Sequence, residues 1–515
     1  MHPALRIVEV VEMACEQVAP DGLPDQPRRR DLSRLAIAST TFLNPALNVL
    51  WRHQDTLVNL LRTMPKDIWD ITENYIDVDF DDSDDDGPLV DLDIALLRAV
   101  TVADWDRFLF YSHRIRSFNA DLQDFQEVYE TLSLRFPEGH VLPSLRKLDW
   151  HSTTVESFHH VGLFLTLGIN DLGLDINEIP ELSIFSTLAF KCPNLKNVSI
   201  STPGVPTMVS VQAISKFVCA LRHVESLVVP DLTSAALSHI AQLPALRYLW
   251  LMCSDDHIPS IPSVHSPPGF LHFPALAELE CKTMDHAPAL LGFLKCSLVE
   301  FKLFSRSRHM PPTKETTQKL YSALATHCSH SSLQKISVDK GWYSVPINAD
   351  ELDIYSVGGE SLRPLFCFRN LVTVSLEHTI GVELDDAVVG NMARAWPLLE
   401  SLSIPPDPAY RLSLRVTLEG VYAFATHYPH LRLLKIAFDA TVVPKIKIDG
   451  RQRVCQHSLD QLHVAYSPID KPRPVAKFLS TIFPHLHTIR TSYRGISNPQ
   501  LVPSAKGWLK VEEAL

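Results

Sequence analysis

A short apolar phrase recurs along most of this chain: an aliphatic residue, two residues, a second apolar residue, one residue, then a third. It reads Leu145-x-x-Leu148-x-Trp150, Leu195-x-x-Val198-x-Ile200 and Leu246-x-x-Leu249-x-Leu251, and it returns from Leu371, Leu399, Leu431, Leu459 and Leu486. Weaker copies start at Ile115, Ile169, Val224, Leu276, Leu298 and Leu333, and successive copies lie between 22 and 38 residues apart, about 28 on average. A unit of this length contributes one short strand whose apolar residues face an interior it cannot close alone, so neighbours must stack on it. The pattern therefore predicts a solenoid, and length alone does not force the 515 residues into many domains.

An L-x-x-L-x-L core at a period in the twenties to thirties is the signature of leucine-rich repeats. The expected fold is α/β: a leucine-rich-repeat solenoid with a curved parallel sheet, twelve to fourteen strand-bearing repeats over residues 101–515, and returns of variable length on the other side. The longest returns are expected between Leu298 and Leu371, where the intervals are widest. Regular repeats place Asn or Cys after this core; Thr153 and Pro203 stand there in two copies, so the repeats should be irregular.

Composition removes several classes of function. Glycine is scarce, 18 residues, and neither phosphate-binding glycine motif occurs. Net charge is -12 with no basic stripe, which argues against nucleic acid. The nine cysteines are scattered with no C-x-x-C pair; Cys192, Cys296 and Cys328 precede repeat phrases and read as small buried thiols. The first residues carry Glu9, Glu12 and Glu16 among the apolar ones, so no signal peptide is expected, and no apolar run is long enough to span a membrane. These features point to a reducing compartment, cytosol or nucleus. The segment His327–His330, HCSH, is the metal candidate by composition, but it occupies a turn entering a strand and a repeat boundary explains it. No hydrolase or zincin motif accompanies the 23 histidines, so neither an enzyme nor a cofactor is expected.

Ahead of the repeats the period changes. Leu5, Val8, Val11, Cys15 and Val18 recur at helical spacing, a break runs from Pro20 to Pro27, a second helix led by Asp31 carries Leu32, Leu35, Ala36 and Ser39, and Asn44-Pro45 opens a third through Leu47, Leu50 and Trp51. Residues 1–55 thus form a helical module. Residues 56–100 read as a linker helix and an acidic loop, because Asp77 to Asp86 contains seven Asp and ends in Gly87-Pro88.

The segments ALRIVEVVEMACEQV and RRDLSRLAIASTTFLNPALNVLWR resemble an F-box or F-box-like domain. The phrases at Ala103 to Phe118 and Leu362 to Ile404 resemble the expanded fungal class of F-box proteins with irregular leucine-rich repeats. The chain departs from that family in having Ala4-Leu5-Arg6 in place of a Leu-Pro opening, and in an eight-residue insertion. The resemblance implies a non-catalytic substrate receptor of a Skp/cullin/F-box ubiquitin ligase: Leu5, Ile7, Val10, Val11, Leu32, Leu35 and Trp51 would meet a Skp-type adaptor, and through it a cullin, while the solenoid holds an unknown target protein. The other reading is a repeat scaffold whose N-terminal helices serve only as a cap.

Strand alternation then nominates the target surface. If the first, fourth and sixth positions of each phrase point inward, the third, fifth and seventh line the concave face. These are Tyr248, Trp250 and Met252 in one copy, Glu278, Glu280 and Lys282 in the next, and Glu300, Lys302 and Phe304 in a third. Tyr248, Trp250, Met252, Glu280, Lys302 and Phe304 are the expected target contacts, unless a loop such as Ile258 to Pro268 covers them.

Overall fold

The computed structural model describes residues 7–18, 26–76, 89–120, 126–137, 139–151, 158–202, 204, 206–252, 271–304, 311–340, 347, 349–406, 414–444, 455–492 and 502–515. They fall into two compact units, Met1–Val229 and Pro230–Leu515. In the first unit six parallel strands pair in chain order: His53–Gln54, Ser117–Ala120, Lys147–Trp150, Asp171–Asp175, Asn197–Ser201 and Ser226–Val229. In the second, nine do so: Tyr248–Leu251, Glu278–Cys281, Glu300–Phe304, Lys335–Asp339, Thr373–Leu376, Ser401–Ile404, Leu433–Ile436, Gln461–His463 and Thr488–Arg490. Each unit is a leucine-rich-repeat solenoid.

Every copy of the apolar phrase becomes one of these strands, which opens two residues after the phrase's first aliphatic. The register never slips: Leu249 lies beside Leu279, Leu279 beside Phe301, Phe301 beside Ile336 and Ile336 beside Val374. All five are buried, so an inward column of apolar side chains runs from strand to strand. A one-residue shift would turn that whole column out to water, which is why the phrase spacing fixes the pairing.

Polar caps join one repeat to the next. The residue immediately before the phrase repeatedly bonds a carbonyl of the preceding repeat: Asn194 Nδ2 donates to the Leu167 carbonyl (3.0 Å), Asn370 Nδ2 to Ser331 (2.7 Å), Ser458 Oγ to Pro429 (2.8 Å) and His485 Nδ1 to His457 (2.8 Å). These bonds satisfy carbonyls that the turn would otherwise leave unpaired. On the helical side, Thr207, Thr233, Thr313 and Asp385 each accept a backbone N–H of the first turn of a helix they cap. The longest of those helices, Lys314–His327, lies between Leu298 and Leu333, the first of the two widest intervals, where the sequence placed the longest returns.

The N-terminal module has three helices, Val8–Glu16, Gln26–Ala38 and Thr40–Trp51, closed around Val11, Cys15, Leu32, Ala36, Ala46 and Val49. Two helix starts differ from expectation. The second opens at Gln26, since Pro27 is tolerated in a first turn. The third opens at Thr40, with Ser39 Oγ accepting from Thr41 N, so Pro45 sits inside it; Asn44 is not the cap because its side chain accepts from Arg114 Nη2 (2.9 Å). The region read as a linker contains the short helix Val58–Leu61 and, not expected, an antiparallel hairpin, Trp69–Ile76 with Leu89–Leu96; the acidic run itself lies outside the described residues. At the other end, helix Val502–Glu512 covers the last strand, with Trp508 fully buried and its indole N–H donating to the Ser467 carbonyl (2.8 Å). Open ends of a repeat stack need such covers.

Candidate protein-docking surfaces

The N-terminal module is tied to the first repeat by a polar and aromatic seam. Trp51 stacks on Tyr111 with ring centres 4.4 Å apart. Within the module, Arg52 pairs with Glu16 (2.6 Å) and Asn48 Nδ2 donates to Glu12 (3.1 Å), which braces the third helix, the one facing the repeat, against the first. The buried Arg114 donates to the side-chain carbonyls of Asn48 and Asn44 and lies over Phe110, 4.8 Å from the ring centre. Burial pushes its pKa down, although the amide oxygens satisfy two of its donors.

Of the residues expected to meet an adaptor, Leu5 lies outside the described residues. Val11 and Leu32 are fully buried in the module's own core, where no partner reaches them; they shape the face rather than form it. Val10, Leu35 and Trp51 are half-buried, and Trp51 is engaged by Tyr111. Among the described members of the set Ile7 alone is largely exposed, at 51%. It is joined by Val8, Met13, Leu43 and Ile37, the last 85% exposed, none of which the helical period singled out as surface. The core is complete without them.

In the second unit the strand face away from the core carries the residues nominated for a target. Tyr248, Trp250 and Met252, Glu278, Glu280 and Lys282, and Glu300, Lys302 and Phe304 are all half-exposed, while their inward neighbours are buried. Trp250 pairs in register with Glu280, and Glu280 with Lys302. Tyr248 Oη donates to Glu280 Oε2 (2.9 Å), and burial together with the Glu280 charge pushes the phenol pKa up. Lys302 and Lys335 both reach Glu300 (2.9 and 3.3 Å); burial raises that carboxyl, but the two ammonium groups outweigh it and hold it below its ordinary value. The Trp250 indole nitrogen is buried and has no hydrogen-bond partner among the described residues. The loop expected to cover this face, Ile258 to Pro268, lies outside the described residues.

Further along the same face the side chains shorten. Ser337, Ser375 and Ser403 continue the Trp250 row, and Thr373 and Ser401 the Tyr248 row, before Lys435, His463 and Arg490 close it. Lys435 pairs with Glu377 (3.1 Å).

Two other constellations resolve into structure. His151 Nδ1 and Ser201 Oγ both bond the Asp175 carboxylate, the former at 2.8 Å. The hydroxyl donates to the acid and not to the imidazole, so the nucleophile–base contact that acyl transfer needs is absent from this trio. In HCSH, His330 Nε2 bonds the Ala325 carbonyl (2.7 Å) and Cys328 is buried, as a repeat boundary requires. Burial pushes the Cys192 thiol up to about 11 and Cys328 to about 12, so both stay protonated at neutral pH. Among the described residues no helix is long and apolar enough to cross a membrane.

Fold and surface together define a leucine-rich-repeat protein. No protein-family model matches the chain, and no curated protein matches it by sequence. Among solved structures it is similar to the complex of Rad7 and Elc1 from yeast, at 16% identity over 76% of this chain and 81% of that one, with a TM-score of 0.37. It is also similar to a leucine-rich-repeat protein of Leptospira interrogans, at 14% identity over 71% of this chain and 83% of that one, with a TM-score of 0.32.

Proposed function

We propose that the protein is a target-recognition subunit of a Skp/cullin/F-box ubiquitin ligase. The observation that carries this reading is the N-terminal module: its core closes on itself, its seam to the first repeat is filled, and Ile7, Val8, Met13 and Ile37 still stand in water. Exposed apolar side chains on a small module that needs none of them for folding are the composition of a docking face. On this reading the module holds the adaptor, the face around Trp250 holds the target, and the repeats raise the effective concentration of one near the other. Cytosol or nucleus is where such a subunit would act. The second reading, a scaffold capped by these helices, is favoured by the Trp51–Tyr111 stack and the Arg114 bonds, which are what a cap needs.

Co-expression with a Skp-type adaptor followed by gel filtration separates the two. A stoichiometric complex supports the ligase role, and a folded chain that elutes alone supports the cap. For the target face, Trp250→Ala is expected to cost about 2 kcal/mol or more of binding, roughly thirtyfold in affinity, with little change in melting temperature. A large drop in melting temperature with capture intact would place Trp250 in the core.

A further inference from the structure

The last three repeats bring histidines together that no local motif joins. His430, His457 and His485 are separated by about one repeat each in the sequence, and with His487 they line one open cavity of about 470 Å³ at the strand-entry edge of the second unit. Asp460 and Glu400 contribute carboxylates to the same wall; Arg432 adds the one permanent cation.

Two of the rings are held in a defined tautomer. His485 Nδ1 lies 2.8 Å from the His457 carbonyl and His487 Nδ1 lies 3.1 Å from the His485 carbonyl. A carbonyl only accepts, so each Nδ1 carries the proton and each Nε2 keeps its lone pair. An imidazole whose N–H is pinned by a backbone carbonyl is the usual state of a metal-bound histidine. The spacing fits as well. With a zinc–nitrogen distance of about 2.0–2.1 Å and tetrahedral angles, two bound imidazoles have ring centres about 5 Å apart; those of His457 and His485 are 5.2 Å apart.

We propose that this cavity binds a divalent transition-metal ion of the zinc class, with His457 and His485 as the primary pair and His430 or Asp460 completing the set. As the side chains stand, no three donors among the described residues converge on one point. His430 and His457 are exposed and can turn toward His485, which keeps its bond to the His457 carbonyl. Such an ion would clamp successive repeats across their edge.

The test is calorimetric titration of the full chain with zinc chloride under a non-chelating reductant at pH 7.5. The wild type should take up one equivalent in the micromolar range. His457→Ala and His485→Asn should each weaken it by at least about tenfold, the scale on which even outer partners of a bound imidazole act. The asparagine variant keeps the carbonyl cap, since Asn194 and Asn370 make the same bond in other repeats. Its melting temperature without metal should therefore match the wild type, and the zinc-induced rise should disappear. No zinc uptake by the wild type, or equal uptake by both variants, as binding to the exposed Cys219 or Cys455 would give, overturns the site.

Discussion

Replacing Ile7 and Val8 together by Asp is expected to abolish the proposed capture of a Skp-type adaptor and to leave the chain at least as stable as before. Both side chains are more than half exposed, so neither substitution opens the module's core. Ile7 occupies the N-cap of the first helix and makes no side-chain capping bond there. Aspartate is a better cap, and acids near a helix N-terminus are favoured by the helix dipole. Against an apolar partner the same two carboxylates must be desolvated, at several kcal/mol each in order of magnitude, which is more than about a hundredfold in affinity. Binding and stability thus move in opposite directions. An adaptor complex that survives the double change refutes this face as the docking site.

Acid is expected to weaken the fold through His378. The ring is buried and its Nε2 shares a hydrogen bond of 2.7 Å with the hydroxyl of Tyr321, also fully buried. Burial pushes the pKa down to about 4, against about 6.5 in an unfolded chain. As pH falls through 6.5 the unfolded chain takes up a proton that the folded one refuses until about 4. The stabilisation is complete above 6.5 and is lost progressively below it, by on the order of 3 kcal/mol at pH 4. His463, whose pKa burial and Lys435 also lower, adds in the same direction. Melting temperatures from pH 7.5 to 4.5, compared between wild type and His378→Gln, isolate the term: the variant should show the shallower decline. Parallel curves would assign the acid sensitivity elsewhere.

The repeat phrase made most of the architecture legible, because every copy specifies both a strand and the face that strand buries. What it did not reveal has particular causes. The strand His53–Gln54 carries no apolar phrase, since Gln54 and Thr56 stand where the second and third apolar residues would; it forms because it pairs with Ser117 and Phe118 at the open edge of the next strand. The hairpin did leave a signal, the strict alternation Val90-Asp91-Leu92-Asp93-Ile94, but the neighbouring acidic run obscured it. On the module, helical period marked Val11 and Leu32 as apolar but could not tell which apolar side the three helices share with one another. Ile37 and Met13 emerge as surface only once that packing is known. The half-exposure of Tyr248 and Trp250 follows from alternation alone, whereas the bond from Tyr248 to Glu280 needs the in-register pairing of adjacent strands. The histidines of the C-terminal cavity escaped for a related reason, because local motifs look a few residues away and a solenoid assembles neighbours one period away.

The short side chains in the middle of the second unit's face, Ser337, Thr373, Ser375, Ser401 and Ser403, have an entropic consequence. A docking surface made of lysines and glutamates freezes several rotatable bonds per residue when a partner settles, each long side chain losing up to about 2 kcal/mol of conformational freedom. Hydroxyls one bond from the backbone have little to lose, and they leave the main chain within reach of whatever lies across them. Between the Glu300–Lys302–Lys335 cluster at one end and the Lys435–Glu377 ion pair at the other, the sheet presents a preorganised stretch on which a partner would be selected by shape and hydrogen bonding rather than by charge.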